Sequence, residues 1–546
     1  MYPFSGYFVS RLRLGILALS LSAGFALAAS TGASPSKPNI IVILADDMGW
    51  SDIGSYGSEI ETPHLDSLAR GGVRFSQFYN AARCCPTRAS LLTGLYQHQA
   101  GIGHMVANDG IPSYQGFLND RCVTLAEALK PAGYTTLMTG KWHVGSAEGQ
   151  WPLDRGFDRF WGTPSGGGVY FKETLEIRQE VFFVNGAQRI EPPDDMYITD
   201  TFTDRALEFV DEAVTRTKKP FFLYLAHIAP HWPLQAKPAD IAKHAGRYDH
   251  GWDAVRERRF TRQHEMGLVS REATLSPRDP QADAWNQKPE SARRALAQRM
   301  EIYAAQIDSI DQNIGRLIAK LKQLGQFENT LILFLSDNGS SAEGGPGGFS
   351  RGVEGAAIGT GRSYASAGLE WANAADTPFR KFKSTTYEGG IASPLIAHWP
   401  AGITARGEVR HQVAHIIDVM PTLVDLAGAT YPTQRDGRAI LPMEGRSLAP
   451  AFRGQESGDR AIFWEHEGSK AVREGDWKAV AKGLGEWELY NLRSDRTETR
   501  DIAAQHPAKT RELASLWRNW SERAGVWEWQ DLQKHRQSRN PKGKKK

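Results

Sequence analysis

The 546-residue sequence contains only three cysteines, Cys84, Cys85 and Cys122, and no apolar run of the roughly 20 residues that a membrane-spanning helix needs. Three cysteines are too few for a disulfide scaffold, and their odd number leaves at least one thiol unpaired. Apolar residues make up 41% and charged residues 23%, which excludes a disordered or collagen-like chain. The length predicts a large domain with a smaller partner, or several modules.

Positive charge is scarce in the body of the chain, although the formal net charge is +3. Residues 534–546 carry seven Lys or Arg and no acidic residue, and the first 28 residues add Arg11 and Arg13, so the remainder has a net charge of −6. A nucleic-acid-binding protein usually has a basic body, so we expect no nucleic-acid partner. Residues 534–546 are predicted to form a basic disordered tail.

The N-terminus is typical of a secretory signal peptide. Arg11 and Arg13 precede an apolar run that extends to Ala28 and ends in Ala-Leu-Ala, the small-residue pattern of a cleavage site. The sequence therefore predicts a signal peptide over 1–28 and export to the periplasm or the extracellular space. An uncleaved anchor is the alternative.

The middle of the chain alternates predicted strands with predicted helices. Runs rich in β-branched and aromatic residues predict buried strands at 38–45, 134–138, 220–226 and 330–336. Apolar residues at three- and four-residue spacing predict a helix over about 291–324, and a second is predicted over 418–427. This order predicts an α/β fold with a large, mostly parallel sheet between helices, over residues 38–430.

After residue 430 the pattern changes to short strands at 461–467, 477–481 and 487–492, followed by a helix at about 507–523. We predict a C-terminal subdomain over 431–530 with a small antiparallel sheet and one helix. The Gly-rich stretch 340–380 has too weak a pattern for the core and is predicted to be a rim loop or disordered. This loop and the charged stretch 237–290 are expected to shape specificity.

Four polar residues follow the predicted strands directly: Asp46, Asp47, Asp337 and Asn338. Asp and Asn are common turn residues, so each pair alone is a weak signal. Together they form an all-oxygen ligand set that suits Ca²⁺ or Mg²⁺, whereas no His or Cys cluster indicates Zn²⁺.

The segment from Cys84 to Gly94 reads CCPTRASLLTG and resembles the type I sulfatases of the alkaline phosphatase superfamily, in which C-x-P-S/T-R precedes L-T-G. Further stretches match the family in order: PNIIVILADDMG (38–49), GKWHVG (140–145), RGFDRFWG (155–162), PHWPLQA (230–236), LSDNG (335–339), KSTTYEGG (383–390), HIIDVMPTLVDLAG (415–428) and WELYNL (487–492). The resemblance implies an alkaline phosphatase-like fold and hydrolysis of a sulfate ester.

The resemblance also implies a modification and a metal. In this family a formylglycine-generating enzyme converts the leading Cys, here Cys84, to formylglycine (3-oxoalanine). The hydrated aldehyde is the nucleophile and a metal ligand, together with Asp46, Asp47, Asp337 and Asn338, most often around Ca²⁺, with Mg²⁺ as the alternative. Loss of one cysteine to this modification accounts for the odd number.

The remaining roles are carried over from the matching motifs. His231 matches the general acid, and Lys141 and Lys383 match the lysines that bind sulfate. His143 matches the residue that takes a proton from the second hydroxyl of the nucleophile, and Arg88 matches the arginine that steadies it. Asp337 is expected to accept the proton of the attacking hydroxyl.

Other polar residues have weaker signals. His98, His104, Glu465 and His466 could line the pocket rim, but we assign them ordinary structural roles. Ser165 is a weak candidate for a sulfate contact, because the stretch TPSGGG departs from the better-known animal sequences. Cys85 and Cys122 could pair or remain free.

We expect the substrate to be a small sulfate ester or a sulfated sugar. A phosphonate or phosphate diester hydrolase of the same superfamily is the runner-up, and an inactive binder of sulfated glycans is a third hypothesis. The pair His231 and Lys383 favours sulfate over phosphate diesters, and the intact C-x-P-T-R motif disfavours the inactive binder.

Overall fold

The computed structural model describes residues 37–539, so the predicted signal peptide over 1–28 and positions 540–546 of the predicted tail lie outside the described residues. The strands are β1 (Asn39–Asp46), β2 (Val73–Tyr79), β3 (Thr135–Lys141), β4 (Arg159–Thr163), β5 (Phe183–Asn185), β6 (Gln188–Ile190), β7 (Phe221–Pro230), β8 (Thr330–Ser336), β9 (Ser350–Gly352), β10 (Ser363–Ala365), β11 (Ala392–His398), β12 (Glu408–Arg410), β13 (Ala414–His415), β14 (Gln434–Arg435), β15 (Arg438–Ala439), β16 (Ala461–His466), β17 (Ser469–Glu474), β18 (Trp477–Lys482) and β19 (Glu488–Asn491). The α-helices are α1 (Pro63–Gly71), α2 (Cys84–Thr93), α3 (Leu125–Leu129), α4 (Ile198–Glu212), α5 (Pro238–Lys243), α6 (Gly251–Glu265), α7 (Glu290–Gln323), α8 (Leu369–Ala375), α9 (Glu388–Ile391), α10 (Val419–Leu426), α11 (Ala449–Phe452), α12 (Pro507–Ala524) and α13 (Trp529–Arg539).

One large mixed sheet dominates the fold. Its strand order is β12-β2-β11-β8-β1-β7-β3-β4-β5-β6, and β13 pairs with β2. The central strands β8, β1, β7, β3 and β4 pair in parallel, whereas β11 runs antiparallel to both β8 and β2. The predicted α/β class with a mostly parallel sheet is confirmed.

The central strand β1 is buried along its whole length because helices cover both faces of the sheet. Successive side chains of a strand point to opposite faces. Ile41 packs in the core that contains Ile310 of α7, whereas Ile40 packs in the other core with Leu91 of α2. A continuous apolar run without polar alternation is what a strand covered on both faces requires.

The long helix α7 confirms the helix predicted over 291–324. Its residues Ile307, Ile310, Ile314 and Leu317 are buried and form one stripe against the core. Within residues 37–539, the helices are either too short or too polar to cross a bilayer.

The strand directions bring several loops to one edge of the sheet. β1, β3, β7 and β8 are parallel, so their carboxyl ends lie at the same edge. β11 runs in the opposite direction, so its beginning lies there, and β2, antiparallel to β11, ends there. Residues that follow β1, β2, β7 and β8 therefore meet the residues that precede β11, as expected for a ligand site of this class of fold.

A four-stranded antiparallel sheet, β16-β17-β18-β19, forms the C-terminal part, with α12 packed against it. The small C-terminal sheet is thus confirmed, although the prediction missed β17, whose Lys470 and Arg473 interrupt its apolar pattern. Trp464 of β16 donates a hydrogen bond of 2.8 Å to the carbonyl of Asn80, just after β2, and so attaches this sheet to the large one.

Two stretches are more ordered than predicted. Residues 534–539 belong to α13, where Leu532 is buried and Arg536 forms an ion pair of 2.7 Å with Asp109, so the prediction of a disordered tail is wrong for these six positions. In the Gly-rich stretch 340–380, α8 is buried at every residue, because its alanines and Trp371 pack into the core.

Candidate active site

Most of the predicted site residues lie at the edge of the sheet where the parallel strands end. Asp46 and Lys141 are the last residues of β1 and β3, and Asp47, His231, Asp337 and Asn338 directly follow β1, β7 and β8. All six are buried, with at most 9% of the residue exposed. The structure thus brings together side chains that are far apart in the sequence, such as Asp47 and Asn338, which are 291 positions apart.

Asp46 and Asp337 share the guanidinium of Arg88, which extends from α2. Arg88 Nη2 lies 2.8 Å from Asp337 Oδ2 and 3.4 Å from Asp46 Oδ2. Arg88 Nη1 also donates to the carbonyl of Lys141 at 2.9 Å, and the Lys141 ammonium lies 2.5 Å from Asp46 Oδ2. Arg88 therefore joins the ends of β1, β3 and β8 at one buried point.

Asp47 has a left-handed backbone conformation, with φ of 64°. Its side chain contacts Lys383, His231 and Asn338. Its Oδ2 lies 2.7 Å from Lys383 Nζ and 3.5 Å from His231 Nε2. Its Oδ1 accepts a hydrogen bond of 2.7 Å from Asn338 Nδ2. Asp47 is thus the contact between the β1 end and the residue that matches the family's general acid.

The three carboxylates and three cations of this cluster affect one another's protonation. Although burial opposes ionisation, Lys141, His231 and Arg88 hold the pKa of Asp46 below its usual range. Burial, followed by the charge of Asp46, raises the pKa of Asp337 well above its usual value. Burial also opposes the charged form of Lys383, but Asp47 keeps its pKa above normal. The buried carboxylates therefore repel one another, and a further positive charge beside them would stabilise their ionised forms.

Two oxygen atoms of the predicted ligand set have no hydrogen-bond partner among residues 37–539: Asp46 Oδ1 and Asn338 Oδ1. Buried polar atoms are normally satisfied, so a pair of unpartnered oxygens in one cluster needs an explanation. Ligand atoms of Asp46, Asp47 and His231 also lie within 4.8 Å of one another. Oxygen donors of this kind fit a hard divalent cation such as Ca²⁺ or Mg²⁺.

Cys84 begins α2 and is 2% exposed. Its thiol lies 3.9 Å from the Cys85 thiol, and with Cys85 and His143 it forms a cluster of potential ligand atoms within 4.8 Å. The hydrogen bond with Cys85, followed by the charge of Lys141, lowers the pKa of the Cys84 thiol well below its usual value, against the effect of burial. The side-chain position of residue 84 therefore stabilises negative charge.

His143 is held beside Cys84 and Cys85 by a backbone conformation that few non-glycine residues adopt, with φ of 60°. Its Nε2 lies 3.3 Å from the Cys85 thiol. Burial, and then Lys141, lowers the pKa of His143 to about 4, so the imidazole is neutral at pH 7 and able to accept a proton. A Cβ at Gly166 would lie only 3.2 Å from His143 Nε2, so the segment after Ser165 closes over this ring. The Ser165 hydroxyl is itself buried with no partner in the described chain.

Three residues at the mouth of the site were not predicted from the sequence: Arg83, Trp232 and Glu343. Glu343 lies 3.1 Å from Arg83 Nη2 and 3.7 Å from Lys383 Nζ, and it accepts a hydrogen bond from Trp232 Nε1. Arg83 and Trp232 are sequence neighbours of Cys84 and His231, which was an available signal. Glu343 lies in the Gly-rich stretch and had none.

The residues given ordinary roles form a buried group at the C-terminal sheet. His98 Nε2 lies 2.8 Å from Glu465 Oε2, and the His104 ring stacks on Trp529 of α13 with centroids 4.7 Å apart. His466 is fully buried, and its ring nitrogens have no partner in the described part of the chain. Cys85 and Cys122 are both unpaired and buried, which answers the question that the sequence left open.

Comparison with known families identifies the chain. A profile of the sulfatase family matches residues 38–429, and a profile described as N-sulphoglucosamine sulphohydrolase, C-terminal, matches residues 380–523. The chain belongs to the sulfatase family. Its reaction is therefore the hydrolysis of an organic sulfate ester to an alcohol or phenol and inorganic sulfate, and the alkaline phosphatase-like fold of the sheet agrees with this assignment.

Individual sulfatases are similar along most of their length. An uncharacterised sulfatase of Schizosaccharomyces pombe is 34% identical over 90% of this chain and 95% of its own, and an arylsulfatase of Klebsiella aerogenes is 35% identical over 76% and 92%. The N-acetylgalactosamine-6-sulfatase of Canis lupus familiaris is 31% identical over 83% and 73%. A crystal structure of Ps i-CgsB in complex with k-i-k-neocarrahexaose matches with a TM-score of 0.67 and 28% identity, covering 89% of this chain and 93% of that one.

Proposed function

We propose that this sulfatase uses Cys84, converted to formylglycine, as its nucleophile, beside a Ca²⁺ ion held by Asp46, Asp47, Asp337, Asn338 and residue 84. The observation that carries the proposal is the position of Cys84 at the start of a buried helix, close enough to Asp46 and Asp337 for its charge to act on both carboxylates. The Cys84 thiol stands where the hydroxyls of the hydrated aldehyde would lie. Bound Ca²⁺ would supply positive charge to a sulfate oxygen and to the attacking hydroxyl.

We assign each proton transfer of the reaction to a different residue. Asp337, next to Arg88, accepts the proton of the attacking hydroxyl. Neutral His143 accepts the proton of the second hydroxyl in the later step, when sulfate leaves residue 84. His231, whose Nε2 lies 3.5 Å from Asp47 Oδ2, donates a proton to the leaving oxygen of the substrate, where charge develops.

The cations bind the sulfate group. Lys141 contacts Asp46 and Lys383 contacts Asp47, so an ammonium group lies beside each of these two proposed metal ligands. The three cations Arg88, Lys141 and Lys383 balance the three carboxylates, so a divalent cation leaves the site with a positive excess that attracts a sulfate monoester.

For the natural substrate we propose a sulfated sugar. The similar proteins include an N-acetylgalactosamine-6-sulfatase and a protein crystallised with k-i-k-neocarrahexaose, and the mouth of the site carries the aromatic ring of Trp232.

We also propose that the protein is exported, as the sequence of residues 1–28 predicts, and that a formylglycine-generating enzyme matures it.

Mass spectrometry of the peptide that contains Cys84 tests the nucleophile. The protein from its native host is expected to show formylglycine at this position, and unmodified Cys84 would contradict the mechanism. The variant Cys84→Ala is expected to lose at least 10⁴-fold in 4-nitrophenyl sulfate hydrolysis while keeping its circular dichroism spectrum. Cys85→Ala, the neighbouring thiol, is the matched control and should retain formylglycine at position 84.

A phosphonate or phosphate diester hydrolase remains the second candidate, since the same nucleophile and metal site serve that chemistry. The pair His231 and Lys383, both of which contact Asp47, favours sulfate, because the two residues match the sulfatase motifs PHWP and K-x-T-x-Y-E-G-G. Parallel assays with 4-nitrophenyl sulfate and bis(4-nitrophenyl) phosphate separate the two. An inactive binder would show no turnover of either ester despite complete conversion of Cys84.

A further inference from the structure

A group of aromatic side chains extends the site beyond His231. The ring of Trp232 lies 4.6 Å from that of His231, measured between centroids, and its other contacts are Phe349 at 5.4 Å and Tyr364 at 5.6 Å. Phe349 and Tyr364 belong to the hairpin region of β9 and β10, in the Gly-rich stretch. The leaving group of a substrate bound at His231 therefore meets an aromatic surface.

Arg178 lies at the far side of this surface. Its guanidinium carbon is 6.0 Å from the Trp232 ring and 5.7 Å from the Tyr364 ring, and its Nη1 donates to the Tyr364 hydroxyl. A Cβ added to Gly168 would lie 2.6 Å from Arg178 Nη1. Gly168 follows Gly166, which covers His143, so the segment 165–168 connects the nucleophile side of the site with Arg178.

The guanidinium of Arg178 keeps hydrogen-bonding capacity for a ligand. Its Nε donates to Glu180, but 64% of the Glu180 side chain is exposed, and exposed ion pairs are weak and easily exchanged. Nη2 has no hydrogen-bond partner among residues 37–539. Because 77% of the Arg178 side chain is removed from water against two aromatic rings, an oxyanion there would interact more strongly than on an open surface.

We propose that Arg178 is a specificity-determining residue that binds a second sulfate group of the same saccharide whose first sulfate is hydrolysed at residue 84. The inference rests on the proposed function, because it places the leaving sugar against His231 and Trp232. A planar guanidinium donates two parallel hydrogen bonds to two oxygens of one sulfate group, a fork that an ammonium does not offer. The preferred substrates are therefore di- or polysulfated saccharides.

The test compares monosulfated and disulfated disaccharides, in several positional isomers, as competitors of 4-nitrophenyl sulfate hydrolysis. The wild-type protein should bind at least one disulfate tenfold or more tightly than its parent monosulfate. Arg178→Gln should remove this preference, and Glu180→Gln should increase it severalfold, because the carboxylate no longer competes for the guanidinium. Arg178→Lys should restore only part of it.

The control variant is Arg189→Gln, which removes an exposed arginine that stacks on Phe182 with its guanidinium carbon 4.0 Å from the ring. It should leave both the hydrolysis rate and the preference unchanged. The inference is overturned if the wild type binds no disulfate more tightly than the monosulfate, or if Arg178→Gln weakens both equally. A wild-type protein that fails to hydrolyse 4-nitrophenyl sulfate would instead refute the proposed function.

Discussion

Arg88 and Asp337 form an ion pair of 2.8 Å in which neither side chain has any surface in contact with water. The arginine is in the first turns of α2, four residues after Cys84, and the aspartate follows β8. One buried contact thus fixes the helix that carries the proposed nucleophile relative to the strand that two of the proposed metal ligands follow.

Removal of this arginine should destabilise the protein strongly. Arg88→Met leaves Asp337 and Asp46 buried without their guanidinium, and loss of one partner of a buried pair costs about 3–5 kcal/mol. Urea denaturation at pH 7 measures the change in the free energy of unfolding. Arg216→Met, in which the lost pair with Glu212 is on the surface, is the control and should change it by less than about 1 kcal/mol. A loss below about 1 kcal/mol for Arg88→Met would contradict the structural role.

Removal of calcium should lower both activity and stability. The carboxylates of Asp46, Asp47 and Asp337 repel one another, and the proposed Ca²⁺ would offset this repulsion. Dialysis against EDTA is expected to abolish sulfate release and to lower Tm, and added Ca²⁺ should restore both. In Asp46→Asn the Tm should respond much less to Ca²⁺. An EDTA-treated wild type with full activity and unchanged Tm would refute the metal site.

Replacement of His231 should affect poor leaving groups most. A general acid contributes about 10²–10⁴-fold, and its contribution is larger when the leaving oxygen is more basic. His231→Gln should therefore reduce kcat/KM by at least about 100-fold for an alkyl or sugar sulfate and by much less for 4-nitrophenyl sulfate. A plot of log kcat/KM against leaving-group pKa measures this, and an equal loss for all esters would show that His231 only binds substrate.

A buried histidine outside the site predicts how stability depends on pH. Burial in β7 lowers the pKa of His227 to about 4, whereas an unfolded histidine has a pKa near 6.5. The unfolded state therefore gains a proton first as the pH falls, and stability is lost between about pH 6.5 and 4. Between pH 7 and 5 the loss from this group should be about 2 kcal/mol, and His227→Leu should remove it.

Denaturation curves of both proteins at pH 7 and pH 5 provide the measurement. His506→Leu is the control, because His506 lies on the surface edge before α12 and is exposed. Equal acid sensitivity of the wild type and His227→Leu would show that His227 is protonated in the folded state.

The sequence predicted the elements whose residues are set mainly by burial. Strands buried on both faces must be continuously apolar, so β1 and β8 were predicted almost to the residue, and the stripe of α7 identified that helix. β17 was missed because its charged residues are accommodated by pairing: Arg473 is buried against the Tyr79 hydroxyl. α13 was missed because its order depends on distant partners such as Asp109.

The candidate site follows the same distinction. Motif residues such as Asp46 and His231 could be predicted because they lie at strand ends and match a family. Glu343 and Arg178 could not, because their contacts are with residues that are distant in the sequence. No local sequence pattern predicts that Trp232 contacts both His231 and Arg178. Such contacts arise only when the hairpin of β9 and β10 packs beside the end of β7.

The burial of Cys84 has a consequence for the order of events during synthesis. Every residue of α2 is buried, and Arg88 finds Asp337 249 positions later in the chain. At about 5–20 residues per second, a ribosome needs roughly 12–50 s to produce that stretch. The maturing enzyme that we propose would need an accessible Cys84, so this interval, before β8 exists, is the time when the cysteine would be open to it.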